Sequence, residues 1–263
     1  DNDWGEKSCK RDDLMLSPHG IDLNQRSDGR YQLAVVNHMP RETIEMFELI
    51  NLHNSWSLVW KGCVDAPELG YFNDVALKGD GSFFTTHMYE RGLSLLSMLY
   101  ISFTKPDTGF VYQWDAGDGF TKVPNSDGSF PNGISISDDE KNLFINYVFN
   151  HRTSKLNLEN LNIEVEHFSK GTPDNSSIDG DYIWVATQDN TGIDLLMHCD
   201  ETVVQCSLPF TIYKLRQSDL SEVASFSFSQ TQMGSVTVAV THKDKVWLGT
   251  FHGDRMASFD NTN

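Results

Sequence analysis

The chain has 263 residues, of which 39% are hydrophobic and 11% aromatic, and its formal net charge is −17. A charge of this sign repels phosphate backbones, so we expect no nucleic-acid partner. No apolar run reaches the roughly 18 residues that a spanning helix needs, so the sequence predicts no transmembrane segment. The length suits one large core, and we predict a single domain over residues 1–263.

Four cysteines are too few for a disulfide scaffold in a chain of this length. Cys199 and Cys206 are seven residues apart and close enough to clip a loop, while Cys9 and Cys63 form the other possible pair. None of the four has the spacing of a zinc site. If both pairs are oxidised, the compartment is extracytoplasmic, which favours a secreted or extracytoplasmic protein.

One phrase recurs five times along the chain: a small polar residue, an alternating strand, a turn, then a second hydrophobic strand. The turns are rich in Asp and Gly, as at Asp28-Gly29 and Asp80-Gly81, which is hairpin chemistry. The phrases begin near residues 19, 73, 132, 174 and 235. Spacings of roughly 40 to 60 residues match a four-stranded propeller blade.

Further strand candidates lie between these phrases, at 43–49, 58–60, 110–114 and 210–215. Helical periodicity is weak. Residues 90–99 form the best helix candidate, and they fit an insertion between strands equally well. No linker or low-complexity segment divides the chain. The sequence therefore predicts an all-β fold, a β-propeller with about five visible repeats.

Polar residues recur at one phase of the repeat, where the innermost strand of each blade begins. In a propeller such positions converge on the central channel. Their amide and carboxylate oxygens are ligands that calcium prefers, about six to eight per ion. Any single one of them is equally explained by turn capping, but the whole set at one phase favours a metal site. The residues are His19, Asn73, Asn132, Asp174, Asn175 and Ser235.

His19 and His38 occupy neighbouring strands of the first repeat. Two imidazoles near a metal could act as a base and its relay, because neutral His accepts a proton near pH 7. His87 ends the corresponding strand of the next repeat, and the other histidines are read as structural or surface residues. No GxSxG serine elbow and no glycine-rich phosphate loop occurs.

At these residues the sequence resembles a known family, the paraoxonase and arylesterase group. This group belongs to the wider superfamily of gluconolactonase-like and senescence-marker-like six-bladed, calcium-dependent propellers. The ordered set of matching phrases covers nearly the whole chain. The phrases are SPHGIDL (17–23), LAVVNH (33–38), ETIEMFEL (42–49), NDVAL (73–77), PNGISIS (131–137), PDNSSIDGDYIWVAT (173–187), GSVTVAV (234–240) and KVWLGTFH (245–252).

The resemblance implies a role for each matching position. Side chains that hold a catalytic calcium match Asn73, Asn132, Asp174 and Asn175. Asp74 and the backbone carbonyl of Ile21 match part of a second, structural calcium site. His19 and His38 match the pair that activates water. The implied activity is calcium-dependent hydrolysis of lactones and aryl esters, sometimes of phosphotriesters.

The chain departs from the family pattern at its N-terminal end. Relatives carry a further segment before SPHG, with an acidic pair that contributes to both calcium sites, whereas eighteen residues precede His19 here. Five repeats stand where the family has six. Three explanations stay open: a fragment of a six-bladed enzyme, a five-bladed variant, or a degenerate propeller without catalysis.

Two other functions compete with a hydrolase. A non-catalytic propeller that binds a ligand or protein would fit the missing segment, and a metal-free synthase like strictosidine synthase would share the architecture but lack the polar ring. Aromatic and apolar side chains of the predicted pocket indicate a hydrophobic acyl or aryl group: Tyr71, Phe72, Met88, Tyr89, Trp114 and Phe149. The sequence does not indicate an oligomeric state.

Overall fold

The computed structural model describes residues 3–11, 15–191, 194, 197–199 and 203–261. These residues fall into two compact units, an N-terminal unit over Asp1–Glu140 and a C-terminal unit over Lys141–Asn263. The single-domain assignment stays a prediction.

The described residues of the N-terminal unit form nine strands and one helix. Most strands begin after a turn that contains Gly, Asp or Asn, and their inward positions carry Val, Ile, Leu or Phe. The elements are β1 (Pro18–Gln25), β2 (Tyr31–Asn37), β3 (Thr43–Leu52), β4 (Ser55–Asp65), β5 (Phe72–Leu77), β6 (Phe83–His87), α1 (Leu95–Thr104), β7 (Phe110–Asp115), β8 (Gly119–Lys122) and β9 (Pro131–Ile136).

Ten strands are described in the C-terminal unit. The outer ones alternate exposed and part-buried residues, as in β16 and β19, whereas β14 and β15 are buried almost throughout. The strands are β10 (Asn142–Tyr147), β11 (Arg152–Asn157), β12 (Asn162–Phe168), β13 (Thr172–Asp179), β14 (Tyr182–Gln188), β15 (Phe210–Arg216), β16 (Glu222–Phe228), β17 (Val236–His242), β18 (Lys245–Thr250) and β19 (Ala257–Asp260).

The described strands belong to five sheets, and each sheet takes its strands in chain order. The sheets are β1–β4, β5–β8, β9–β12, β13–β16 and the three-stranded β17–β19. Antiparallel meanders of this size, repeated along a chain, are propeller blades. The prediction of an all-β propeller with about five repeats is confirmed.

The first strand of several blades is irregular at its first residues. Pairing with the second strand shifts register between Pro18 and Ile21 in β1, between Phe72 and Val75 in β5, and between Pro173 and Ser176 in β13. Such bulges redirect side chains and are common next to functional sites. Each bulge contains the polar residues that the repeat singled out.

The N-terminal segment covers the outer edge of the first blade. The backbone N–H groups of Trp4 and Glu6 donate to the carbonyls of Lys61 and Cys63 on β4, at 3.0 and 2.9 Å. A disulfide joins Cys9 to Cys63 and fixes this segment in place. The predicted pair is confirmed, as is the second disulfide, between Cys199 and Cys206.

Helix α1 begins later than the sequence predicted. Ser94 caps its first turn, because the Ser94 side chain accepts a hydrogen bond from the Ser97 N–H group, and Gly92 just before it has a φ of 96°. A left-handed residue there ends any continuous helix from residue 90. Across the described parts of the chain, no helix combines the length and the hydropathy that crossing a membrane requires.

Candidate functional site

The N-terminal unit brings the two predicted catalytic histidines into contact. His19 lies in the bulge of β1, and His38 follows the end of β2. Their ring nitrogens, Nδ1 of His19 and Nε2 of His38, are 2.8 Å apart, which is hydrogen-bonding distance. The two imidazoles on adjacent strands therefore lie in contact, as predicted. Their catalytic role stays a prediction.

Asn37 holds the loop that carries His38. Its side-chain oxygen accepts a hydrogen bond from the Ser17 N–H at 2.7 Å, and its side-chain nitrogen donates to the Met39 carbonyl, also at 2.7 Å. The His38 N–H donates to the Ser17 carbonyl at 3.0 Å. These bonds fix the segment before β1 against the segment after β2, so both histidines approach from anchored backbone.

Glu42 is a site residue that sequence reasoning missed. Its carboxylate oxygens lie 3.0 and 3.1 Å from Nδ1 of His38, on the side of the ring away from His19. The phrase ETIEMFEL begins with Glu42, but its contact with His38 depends on the loop conformation. No local pattern signals that contact.

His19 also reaches the first predicted calcium ligand. Its Nε2 atom is 3.4 Å from the side-chain nitrogen of Asn73 in the bulge of β5, and that nitrogen donates to the sulfur of Met88 at 3.2 Å. Asn73 is almost fully buried. One imidazole therefore touches both its partner histidine and the Asn73 amide.

Thr86 on β6 connects the start of β5 to the start of β9. Its hydroxyl accepts a hydrogen bond from the Asp74 N–H at 3.1 Å and donates to the backbone carbonyl of Asn132 at 2.5 Å. The starts of two inner strands thus lie at the same level. Within the described part of the chain, the buried side-chain oxygen of Asn132 accepts no hydrogen bond.

Asp74, a predicted ligand of the second calcium, faces backbone amides. Its two carboxylate oxygens accept hydrogen bonds from the N–H groups of Val75 and Ile134, at 2.9 and 3.0 Å. The other predicted contributor is the backbone carbonyl of Ile21. Ile21 follows Gly20, and Gly20 packs directly against Asp74.

Asp174 and Asn175 lie in the bulge of β13 in the C-terminal unit. Asp174 accepts a hydrogen bond from the Gln188 side chain at 2.7 Å, and burial raises its pKa to about 7. The buried side-chain oxygen of Asn175 accepts no hydrogen bond from residues that the structure describes.

These residues fit a calcium ion by the chemistry of their donors. Buried amide oxygens without hydrogen-bond partners cost free energy unless another group satisfies them. Asn132 and Asn175 each present such an oxygen, and calcium prefers neutral and anionic oxygens. Among the described residues no group of three or more His, Cys, Asp or Glu side chains is placed to hold a metal, and the predicted ligands are mainly Asn.

The protein environment sets the basicity of His19. Removal of water by surrounding atoms lowers the pKa of His19 below its ordinary value, the nearby His38 acts in the same direction, and the Glu42 carboxylate opposes both. The side chain itself remains accessible at the surface. A neutral, accessible imidazole can accept a proton from water.

Aromatic rings continue from His38 away from His19. Tyr71 stacks on His38 with 4.6 Å between ring centroids, Tyr89 stacks on Tyr71 at 5.0 Å, and Phe130 contacts Tyr89 at 5.1 Å. His87 lies behind this row, and its Nδ1 accepts the Tyr71 N–H at 3.2 Å. Tyr71 and Tyr89 are half-buried, as expected of residues that line a pocket.

Two members of the predicted pocket belong to the core instead. Trp114 on β7 is 3% exposed and stacks on Phe83, and Phe72 is fully buried in the same cluster. Their placement in a pocket loop was wrong. Phe149 lies half-buried in the turn after β10, in the C-terminal unit, and Met88 is buried beside Asn73.

Comparison with known proteins identifies a family. A family model described as Arylesterase matches residues 6–256. Serum paraoxonase/arylesterase 2 of Gallus gallus is 29% identical over 165 residues, which cover 57% of this chain and 44% of that protein. The match spans less than half the length of this curated relative.

Solved structures of several functions share the fold. A luciferin-regenerating enzyme is 18% identical with a TM-score of 0.53, over 91% of this chain and 71% of that one. Hydrazine synthase of Kuenenia stuttgartiensis is 11% identical with a TM-score of 0.57, over 92% and 58%. A chain of a nidogen/laminin complex is 9% identical with a TM-score of 0.55, over 93% and 76%. At these identities the likeness concerns the fold alone.

Proposed function

Because the chain belongs to the arylesterase family, we propose that it is a calcium-dependent hydrolase of lactones and aryl esters. The observation that carries the proposal is the contact between His19 and His38, whose ring nitrogens are 2.8 Å apart, beside the Asn73 amide. A histidine pair beside a buried asparagine side chain combines a base with a candidate metal ligand.

Asn73 and Asn132 in the N-terminal unit are the ligands whose surroundings support this role most directly. Asp174 and Asn175 remain proposed ligands of the catalytic calcium, and Asp74 with the Ile21 carbonyl remains the proposed contribution to a structural calcium. A calcium ion bound there would polarise the ester carbonyl and stabilise the negative charge that develops on its oxygen.

His19 carries the proton transfer in this proposal. Its lowered pKa keeps the ring neutral near pH 7, so it accepts one proton from the attacking water while the water oxygen bonds to the carbonyl carbon. His19 then returns that proton to the departing alkoxide or phenoxide oxygen. His38 holds the His19 ring in place through the nitrogen on the opposite side.

The substrate side of the proposal rests on the aromatic row. Tyr71 and Tyr89 extend from His38 as half-buried, stacked rings. Rings of this kind favour a hydrophobic acyl or aryl group over a sugar lactone.

We further propose an extracytoplasmic location. Both cysteine pairs form disulfides, Cys9 with Cys63 and Cys199 with Cys206. Disulfides of this structural kind persist in oxidising compartments.

The proposal is tested by hydrolysis of phenyl acetate and a panel of γ- and δ-lactones, with and without a calcium chelator. We expect turnover that the chelator abolishes and that Asn132→Ala loses by a factor of at least about 100, while Asn132→Ala still folds. Asn162→Ala, at an exposed position of β12, is the matched control and should keep full activity.

Calcium binding without turnover on any substrate would contradict the hydrolase and favour a non-catalytic binding propeller. Turnover that survives both the chelator and Asn132→Ala would contradict the metal site alone. The two results therefore separate the reaction from its proposed cofactor.

A further inference from the structure

We propose that Glu42 is a positioning residue that fixes the tautomer and orientation of His38 and, through His38, of His19. The inference rests on the proposed function, in which His19 is the base. Glu42 does not touch His19, and its effect passes through the contacts that join the three side chains.

Three donors converge on the Glu42 carboxylate, whose side chain is only 2% exposed. The Phe72 N–H donates to it at 2.7 Å, the Arg91 guanidinium lies 3.5 Å away, and Nδ1 of His38 is 3.0 Å away. An ionised carboxylate only accepts hydrogen bonds. Nδ1 of His38 must therefore carry the proton of that ring.

The position of the proton on His38 determines the position of the proton on His19. A neutral imidazole has one N–H, so Nε2 of His38 is an acceptor and receives the Nδ1–H of His19 across 2.8 Å. His19 then has its lone pair on Nε2. That atom faces the side-chain nitrogen of Asn73 at 3.4 Å, on the side where the proposed chemistry needs a base.

Glu42 is also tied to the strand that supplies Asn73. The backbone N–H that it accepts belongs to Phe72, which immediately precedes Asn73 at the start of β5. The ring of His38 is held from its face by Tyr71, with an interplanar angle of 9°. The hydrogen bonds at the ring edge, to Glu42 and His19, and the stacking of Tyr71 on the ring face together fix the orientation of His38.

A purely structural role for Glu42 would hold the loop without choosing a tautomer. Glu42→Gln distinguishes the two roles, because the amide has almost the same shape but places an NH₂ donor where one carboxylate oxygen now lies. When this donor faces Nδ1 of His38, the lone pair of His38 moves to Nδ1. Nε2 of His38 then carries the proton and donates to Nδ1 of His19, so the proton of the His19 ring moves to Nε2.

We expect Glu42→Gln to lower kcat by about 100-fold and to leave KM within about threefold, because Glu42 does not contact substrate. Glu42→Asp keeps the charge and should recover part of the loss. The matched control is Glu45→Gln. Glu45 is another buried carboxylate, at 3% exposed, and it accepts hydrogen bonds from Thr43 and Trp60.

A second readout does not depend on activity. Side-chain ¹⁵N chemical shifts, assigned with a His38→Gln variant, should show His38 protonated at Nδ1 in the wild type and in Glu45→Gln, and not in Glu42→Gln. Wild-type His38 protonated at Nε2 would overturn the inference even if the enzyme were fully active. An inactive wild type with the expected shifts would instead contradict the proposed hydrolase and leave the positioning contact standing.

Near-normal kcat in a folded Glu42→Gln variant would also overturn the inference. So would a loss of kcat with the Nδ1–H of His38 retained, since Glu42 would then act only on the loop. If Glu42→Gln fails to fold, the inference is tested by the ¹⁵N chemical shifts of His38 in the wild type and by the kcat of Glu42→Asp.

Discussion

Gly20 in the bulge of β1 lies directly against Asp74 at the start of β5. A methyl carbon at Gly20 would be 2.5 Å from the Asp74 side-chain oxygen Oδ1 and 2.4 Å from the Asn73 carbonyl. No such carbon fits at these distances, so the approach of the two strands requires glycine. The closeness also sets the separation between His19 and Asn73, which are the neighbours of these two residues.

Gly20→Ala is therefore expected to disturb the site as well as the fold. The added methyl group must push β1 away from β5, at a cost of roughly 1–3 kcal/mol in the free energy of unfolding, and His19 should lose its register with Asn73. Urea denaturation and phenyl acetate turnover measure the two effects. The control is Gly117→Ala, whose methyl group would meet only the Asp115 side chain, at 3.2 Å. A fully active, fully stable Gly20→Ala would contradict this account of the strand contact.

The acid side of the pH profile should reflect His19. Partial loss of water around the ring and the neighbouring His38 lower the pKa of His19 below 6.5, so the neutral base persists to lower pH than in a free histidine. We expect kcat/KM to rise with pH and to reach half its maximum below pH 6.5. His242→Ala, at an exposed position of β17, should leave the midpoint unchanged. A midpoint above pH 6.5 would exclude a desolvated His19 as the base.

Much of this site was predictable from the repeat. In β1, β5 and β13 the polar residues recur at one phase because the strand bulges there. A bulge at the same place in successive repeats makes those positions polar in the sequence. His19 and Asn73 were identified in this way. The contact between them follows from the blade architecture, which the period of the repeat already implied.

Glu42 and Trp114 show where sequence reasoning stopped. The role of Glu42 depends on Phe72, thirty residues away, and such contacts leave no local periodicity. Trp114 was placed among the pocket residues for its aromatic side chain. Residue type alone does not separate a ring that lines a pocket from one that stacks in the core on Phe83.

The two disulfides should differ in what they contribute to stability. Cys9 and Cys63 are 54 residues apart, whereas Cys199 and Cys206 are separated by seven. By loop entropy alone, removing the first pair costs about 4 kcal/mol and removing the second about 2.5 kcal/mol. Urea denaturation of the two double Cys→Ala variants measures this order. The reverse order would show that native contacts, such as those of the segment around Trp4, determine the loss of stability more than the loop-closure entropy of the unfolded chain does.

The Asp174 carboxyl should make the stability of the protein depend on pH when no calcium is added. Burial raises the pKa of its carboxyl from 3.8 to about 7 in the folded chain, so the folded state holds the proton more tightly than the unfolded state. Stability from this group is present below pH 3.8 and is lost as the pH rises towards 7. Above that range the folded chain contains a buried carboxylate whose described side-chain partner is Gln188.

Asp174→Asn removes this dependence, because the amide stays neutral and its oxygen can still accept from Gln188. In chelator at pH 8 the variant should exceed the wild type in the free energy of unfolding by on the order of 2–4 kcal/mol, and at pH 4 the two should be nearly equal. Calcium should restore the wild type at pH 8, because a cation favours the ionised carboxyl, and should do little for the variant. Asp219→Asn, in an exposed turn, controls for loss of a surface charge. Equal urea midpoints for wild type and Asp174→Asn at pH 8, with and without calcium, would show that Asp174 is neither strained in the free protein nor a ligand.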